Sequence, residues 1–234
     1  VSTQVAVVAG AGGAGTAVAT SLVARGFHVV VLDHRLSTAE TAVAIALAGG
    51  GSAEAHGIDL LDTGLVVAMR DELLTRFGRV DALVHLVGGW RGSKTLDLAS
   101  VDNWNVLHPR VVGTLAVLTA VFGDAVRTSP DGRVIMVTST AAVRPSVGNI
   151  AYAAAKRAAE AWMDGTADFF RDSSAAAVTI AVKALLTDEM IAADPAKAWP
   201  GYTHVAGLAT AITSICTGAA ENGARLDLTV GAQV

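Results

Sequence analysis

Between His28 and Asp33 the chain reads HVVVLD, four apolar residues in succession with no polar partner between them. A strand of that kind has no face to give to water. It must be covered on both sides, and the architecture that does this is a parallel sheet with helices packed above and below. Similar runs recur at TQVAVVA (3–9), DALVHLV (81–87), GRVIMVTS (132–139) and AAVTIAVKAL (176–185), while SAEAHGID (52–59) and ARLDLTV (224–230) complete seven predicted strands. Helical patterning fills the gaps: one helix through Arg25, then stretches at about 37–48, 63–77, 100–127, 149–172 and 203–219. Strand-helix alternation of this sort predicts right-handed crossovers and a doubly wound α/β fold with a mainly parallel seven-stranded sheet flanked by helices. With no low-complexity linker or short repeat, residues 1–234 are expected to form one domain, with ligands gathering at the carboxyl ends of the strands.

The first of those ends carries VVAGAGGAGTAVA, which sets Gly10, Gly12 and Gly15 in a G-x-G-x-x-G array between the first strand and its helix. Glycines there permit a tight turn and let backbone amides approach a pyrophosphate at the helix N-terminus. Asp33 closes the second strand 18 residues after Gly15, where a carboxylate accepts hydrogen bonds from ribose hydroxyls. Together these predict a Rossmann-type dinucleotide site. A carboxylate repels a 2′-phosphate, which favours NAD, whereas Arg35 nearby keeps NADP open.

The fifth strand ends at Ser139, and thirteen residues later the following helix presents Tyr152 and then Lys156. Spaced i and i+4, the last two share one helix face. A tyrosine with its ordinary pKa of about 10 is a poor base near neutrality, and a neighbouring ammonium favours the phenolate. A tyrosine inside a helix is commonly plain core; here all three polar groups fall beside the expected nicotinamide end.

With those residues in place, the chain resembles the short-chain dehydrogenase/reductase family over nearly its whole length. The resemblance rests on the glycine turn, on Asp33, on Asp59-Leu60 after the third strand, and on the S-x12-Y-x3-K array. It implies that Asp59 and Leu60 contact the adenine, that Ser139 holds the substrate oxygen, and that Tyr152 is the acid/base. Lys156 would bind the nicotinamide ribose and lower the tyrosine pKa, and Thr187 would touch the carboxamide. The implied reaction is hydride transfer between the nicotinamide and a small alcohol or carbonyl compound.

Departures from the family pattern accompany the match. The glycine turn is one residue shorter than usual. Where N-N-A-G is usual after the fourth strand, the chain has His85-Leu86-Val87-Gly88, of which Gly88 alone agrees. Arg110 stands at the position of an asparagine in the next long helix, and Pro109 before it predicts a bend or interruption. Lys183-Ala184 replaces a proline-glycine pair after the sixth strand. The losses favour a second reading, a dinucleotide-binding sensor or scaffold with little turnover. An epimerase or dehydratase fits less well, because such relatives carry longer C-terminal substrate regions. A hydrolase role for Ser139 lacks the G-x-S-x-G turn.

Loops after the fourth, fifth and sixth strands are expected to line the substrate pocket. Trp90, Met190 and Trp199 would give it an apolar wall, Arg91, Lys94 and Arg144 positive charge, and a segment near 187–200 a lid. Ala161, Trp162, Phe169 and Phe170 exceed what one helix face buries, which together with the family pattern predicts a homo-dimer or homo-tetramer. The net charge of −4 and pI near 5.8 argue against nucleic acid and anionic membranes as partners. Scattered histidines and the lone Cys216 offer no metal cluster and no internal disulfide, so a reducing, cytoplasmic setting is expected. The uncharged stretches Val1–Ala24, broken by glycines, and Ala198–Ala220, with His204 and Trp-Pro-Gly, are expected as soluble structure and not as membrane spans.

Overall fold

The computed structural model describes residues 3–229. In chain order it contains β1 (Val5–Ala9), α1 (Gly13–Val23), β2 (His28–Asp33), α2 (Leu36–Ala46), β3 (Ser52–Gly57), α3 (Thr63–Phe77), β4 (Ala82–His85) and α4 (Leu98–His108). A π turn at Pro109–Gly113 leads into α5 (Thr114–Thr128), followed by β5 (Arg133–Ser139), α6 (Ile150–Phe169) and β6 (Ala176–Val182). Then come β7 (Leu185–Leu186), α7 (Asp188–Ala193), β8 (Thr203–His204), α8 (Val205–Thr217) and β9 (Arg225–Asp227).

Seven strands form one sheet in the order β3-β2-β1-β4-β5-β6-β9, and every neighbouring pair is parallel. The valine runs do what their composition requires. Along β1, Val5, Val7 and Ala9 enter one apolar cluster while Ala6 and Val8 enter the other. On the first face lie α3, α5 and α6; on the second, α1, α2 and α8. Strand order reverses between β1 and β4, which places a crevice at their carboxyl ends.

The opposite edge of the sheet is tied by buried polar groups. Asp81, 2% exposed, accepts from the Val5 amide at 2.8 Å and from the Ser129 hydroxyl, and pairs with Arg79. Arg133 donates to the carbonyls of Ile215 at 3.1 Å and Gly218 at 2.9 Å, closing the end of α8.

Several boundaries depart from the expected ones. The sixth strand stops at Val182, and Leu185-Leu186 pairs instead with Thr203-His204 in a small separate sheet. Pro109 does interrupt the long helix, and the interruption takes the form of the π turn. Phe170 is fully buried, because it lies just past the end of α6 and joins the core, so it does not belong with the exposed Trp162 and Phe169. Among the described residues one helical run, Leu98–Thr128, is long and apolar enough to cross a membrane, with 56% of its most apolar stretch buried inside the fold. Its core residues include Leu107, Val111, Leu115, Leu118 and Phe122. Val230, the last residue of the expected seventh strand, lies outside the described residues.

Candidate active site

At the switch point a cleft of about 1850 Å³ opens, and its lining contains Gly10, Gly12, Gly15, Asp33, Asp59, Leu60, Gly88, Ser139, Tyr152, Lys156 and Thr187. The residues expected to bind the dinucleotide or to react therefore meet in one cavity.

At one end the chain turns from β1 into α1. Gly10 has a φ of +100°, a region that side chains rarely adopt, and its amide donates to the Leu32 carbonyl at 2.8 Å. A Cβ on Gly15 would stand 1.9 Å from the Gly10 carbonyl oxygen, so only glycine lets the helix begin this close to the turn. Gly12, the residue before α1, would point a Cβ into open space within the cleft. Asp33 accepts from the Ala11 amide and from the Arg35 amide, both at 3.0 Å, and sits 3.0 Å from His34 Nδ1. The carboxylate thus ties the end of β2 to the glycine turn, while the Arg35 side chain stays exposed at the rim. Asp59 accepts from the Leu61 amide at 2.9 Å, and Leu60 is buried in the cleft wall.

At the other end, α6 carries Tyr152, Lys156 and Glu160 along one inward face. Asn149 starts that helix and accepts from the Ser146 amide at 2.7 Å. Ser139, at the end of β5, hydrogen-bonds Tyr152 and accepts from the Ala141 amide at 3.2 Å. Lys156 donates to the Val137 carbonyl at 2.8 Å, and its Nζ lies 6.0 Å from the centre of the Tyr152 ring. Burial lowers Lys156 to about 8, opposed by the charge of Glu160. Glu160, itself buried, is held by Arg157 at 2.9 Å and Arg225 at 3.3 Å.

The phenol departs from expectation. Burial pushes Tyr152 above its ordinary value, and the Ser139 hydrogen bond, which works the other way, does not overcome it. The expected lowering by Lys156 is therefore corrected for the chain by itself: Lys156 Nζ is directed to Val137, and desolvation of the phenol dominates.

His85 takes over the polar brace at the end of β4. Its Nε2 lies 2.8 Å from the Thr114 hydroxyl, which donates to the Arg110 carbonyl at 2.6 Å. The brace thus joins the sheet to the π turn, a distortion that often marks functional sites.

The substrate side is partly as expected. Trp90, Met190 and Arg144 line the cleft; Trp199, Arg91 and Lys94 do not. Trp199 packs edge-on to Tyr202 with ring centres 5.2 Å apart, and Lys197 lies 4.0 Å from its ring. Sequence reading passed over Arg225, Asp227 and Thr229, which enter the cleft from β9 and the residues after it. Their position past the carboxyl end of the last strand was the available signal. Thr187 begins α7 and accepts from the Met190 amide at 3.3 Å.

The family model described as short chain dehydrogenase matches residues 4–197. The chain is 36% identical over 156 residues to the short-chain reductase protein NovJ of Streptomyces niveus, a match covering 66% of this chain and 59% of that protein. It spans about three-fifths of the length of the curated relatives it matches. Among solved structures, a metagenomic short-chain oxidoreductase in complex with NADP is similar over 97% of this chain and 99% of its own, with TM-score 0.80 and 24% identity. An oxidoreductase from Haemophilus influenza with bound NAD is similar over 96% and 92%, with TM-score 0.81 and 20% identity. At those identities the structural likeness speaks for the fold.

Proposed function

Because the chain belongs to the short-chain dehydrogenase family, we propose that it moves a hydride between a nicotinamide dinucleotide and a small alcohol or carbonyl compound, with Tyr152 handling the hydroxyl proton. The observation that carries this reading is the meeting of Ser139, Tyr152 and Lys156 in the same cleft as the glycine turn.

The residues fit a dinucleotide. Gly10, Gly12 and Gly15 would present backbone amides and the start of α1 to the pyrophosphate. Asp33 would hold the ribose hydroxyls, Asp59 and Leu60 the adenine, and Gly88, Lys156 and Thr187 the nicotinamide half. The carboxylate of Asp33 favours NAD; Arg35 at the rim leaves NADP as the alternative. When bound, the dinucleotide supplies or accepts the hydride. Ser139 orients the substrate oxygen and the phenol. Tyr152 gives its proton to a carbonyl oxygen in reduction, or takes one from an alcohol in oxidation, and the Lys156 ammonium stabilises the phenolate that reduction leaves. The same reading includes a homo-dimer or homo-tetramer, supported by Trp162 and Phe169, which remain 43% and 47% exposed on α6.

A second reading, a dinucleotide-binding sensor or scaffold with little turnover, draws on Arg110, whose carbonyl is already engaged by Thr114. The decisive experiment follows nicotinamide absorbance with a panel of alcohols and ketones and each dinucleotide. Wild type is expected to turn over, and Tyr152→Phe to lose roughly 10²–10⁴-fold in rate while still binding the dinucleotide. Equal rates in the two proteins overturn the assigned role, and binding without turnover transfers the conclusion to the second reading.

A further inference from the structure

Charge is unevenly divided along the cleft. On the side of β2 and β3 its lining holds two carboxylates, Asp33 at the end of β2 and Asp59 just after β3, with Arg35 at the rim. The half built on β5, β6, β9 and α6 carries Arg144, Lys156, Lys183 and Arg225. Asp227 is the one lining carboxylate there among the described residues, and it is occupied by the Thr229 amide at 2.8 Å and hydroxyl at 2.6 Å. Ser139 and Tyr152 stand in this cationic half.

Most of these cations are already engaged. Lys156 donates to the Val137 carbonyl, Arg225 pairs with Glu160, and Lys183 donates to the Pro200 carbonyl at 2.8 Å. Arg110 enters from the π turn, whose last residue faces the other half: a Cβ on Gly113 would lie 2.9 Å from Leu61 Cδ2. The Arg144 guanidinium has no hydrogen-bond or ion-pair partner among the described residues and lies exposed in the cleft. A nicotinamide does not answer its charge. The oxidised ring is itself a cation, and like charges close together repel. A free guanidinium on that side is matched by an anion carried on the other reactant.

The backbone fixes where that anion lies. Ser139 accepts from the Ala141 amide, and the Val143 and Arg144 amides reach the Thr140 carbonyl at 3.2 and 3.3 Å. Arg144 is therefore one hydrogen bond from the residue that follows Ser139. Further along, the same loop clasps the loop after β4: the Ser93 amide donates to the Gly148 carbonyl at 3.3 Å. Gly92 packs between that carbonyl and the Trp90 ring, since a Cβ on it would lie 2.4 Å from the one and 2.7 Å from the other. Trp90, 69% exposed, is thereby set as an apolar wall of the same cleft. A guanidinium is a planar fork that matches the two oxygens of a carboxylate, and one unpaired cation suits a single negative charge better than a phosphate dianion.

We propose that the substrate is a short hydroxy acid or the corresponding oxo acid, with its carboxylate on Arg144, its reacting oxygen between Ser139 and Tyr152, and its carbon chain against Trp90. The proposal rests on the oxidoreductase reading for the reaction, though the anion site does not depend on it. In oxidation the carbinol C–H bond breaks and its hydride passes to the dinucleotide, while the hydroxyl proton passes to Tyr152. The carboxylate is unchanged, and reduction reverses both transfers.

The test compares hydroxy and oxo acids with their own primary amides, which match them in size and lack the charge. Wild type is expected to favour the acid in kcat/KM by roughly tenfold or more. Arg144→Met keeps an unbranched apolar stem, and the acid-to-amide ratio should fall roughly 10–100-fold, mainly through KM. Arg144→Lys recovers part of the ratio, and Arg91→Met, outside the cleft lining, leaves it in place. Turnover that does not distinguish acids from amides, a ratio indifferent to Arg144→Met, or an equal fall in Arg91→Met overturns the proposal and leaves the oxidoreductase reading standing. Calorimetric titration of hydroxy acids into the protein saturated with reduced dinucleotide, which cannot accept a hydride, gives a readout independent of turnover. Binding that weakens roughly tenfold or more in Arg144→Met is expected; no binding of any acid, or binding indifferent to the substitution, overturns the anion site. If no compound turns over while that Arg144-dependent binding persists, the anion site stands and the oxidoreductase reading falls.

Discussion

Gly15 lies directly against Gly10: a side-chain carbon on Gly15 would reach to 1.9 Å from the Gly10 carbonyl oxygen. Gly12, between them in sequence, has nothing within 4 Å of the same construction. The two glycines are therefore required for different reasons, one by the chain itself and the other by whatever fills the cleft.

Substituting them separates folding from binding. Gly15→Ala must push the turn apart, and a destabilisation of about 1–3 kcal/mol is expected, as for other overpacked sites. Gly12→Ala is expected to change stability by less than about 1 kcal/mol, since its φ of −64° suits alanine. It should still weaken dinucleotide binding roughly tenfold, about 1.4 kcal/mol. Thermal melting alongside dinucleotide titration checks both; unaltered affinity in Gly12→Ala would remove the pyrophosphate from this turn.

Asp33 also serves two ends, because it holds the Ala11 amide while offering its carboxylate to the cleft. Asp33→Ala is expected to weaken NAD and shift the NADP-to-NAD affinity ratio upward by roughly tenfold, the removal of one carboxylate-phosphate repulsion. Arg35→Ala is expected to lower NADP affinity alone. Calorimetric titration of both dinucleotides into both variants tests the assignment, and an unchanged ratio in Asp33→Ala would contradict it.

Lys156 gives a pH signature. Burial brings it to about 8 from an ordinary 10.5. A lysine depressed in this way costs the folded state most below its folded value, where the ammonium must be kept buried. Stability is therefore expected to rise as pH climbs from about 8 towards 10.5. Any activity that uses the ammonium should fall over the same window. Glu160→Gln removes the charge that opposes the depression, so the midpoint should move lower. A ¹³C-methylated lysine titration followed by NMR checks the direction; a midpoint that moves upward would contradict the role given to Glu160.

Asp81 tests the far edge of the sheet. It is buried and accepts from the Val5 amide and the Ser129 hydroxyl while pairing with Arg79, so Asp81→Ala removes a carboxylate that three groups share. A loss of about 3–5 kcal/mol is expected, as when one partner of a buried ion pair is removed. Dinucleotide affinity, measured on the fraction that remains folded, should be little changed, because the residue lies at the opposite ends of the strands. Denaturant unfolding with a parallel binding titration would show the two effects separately.

Much of this architecture was legible in the residues. Uninterrupted valine runs have one stable environment, a sheet covered on both faces, and that alone orders β1, β2, β4, β5 and β6. The glycine turn, Asp33 and the Ser139-Tyr152-Lys156 array could be found because local spacing determines what shares a helix face or a strand end. Properties set by packing could not be read in the same way. The sign of the Tyr152 shift depends on how completely α6 buries the phenol, and the half-satisfied ring of His85 depends on where Thr114 sends its single proton. Lys183, Ala184 and Leu185 looked like the continuation of β6, yet the chain leaves the sheet after Val182, and Leu185 with Leu186 finds a different partner. Pro109 announced a break without saying that a wider helical turn would accommodate it.

That small β7–β8 pairing has a practical consequence. It brings Leu185 beside Thr203 and Leu186 beside His204, so the segment carrying α7 leaves the body and returns to it at adjacent points. The intervening stretch behaves as a cassette on a fixed frame. Doubling its length would add only about 0.6 kcal/mol of closure entropy. Segments of different size and chemistry can therefore be exchanged between those anchor points while the parallel sheet beneath keeps its register.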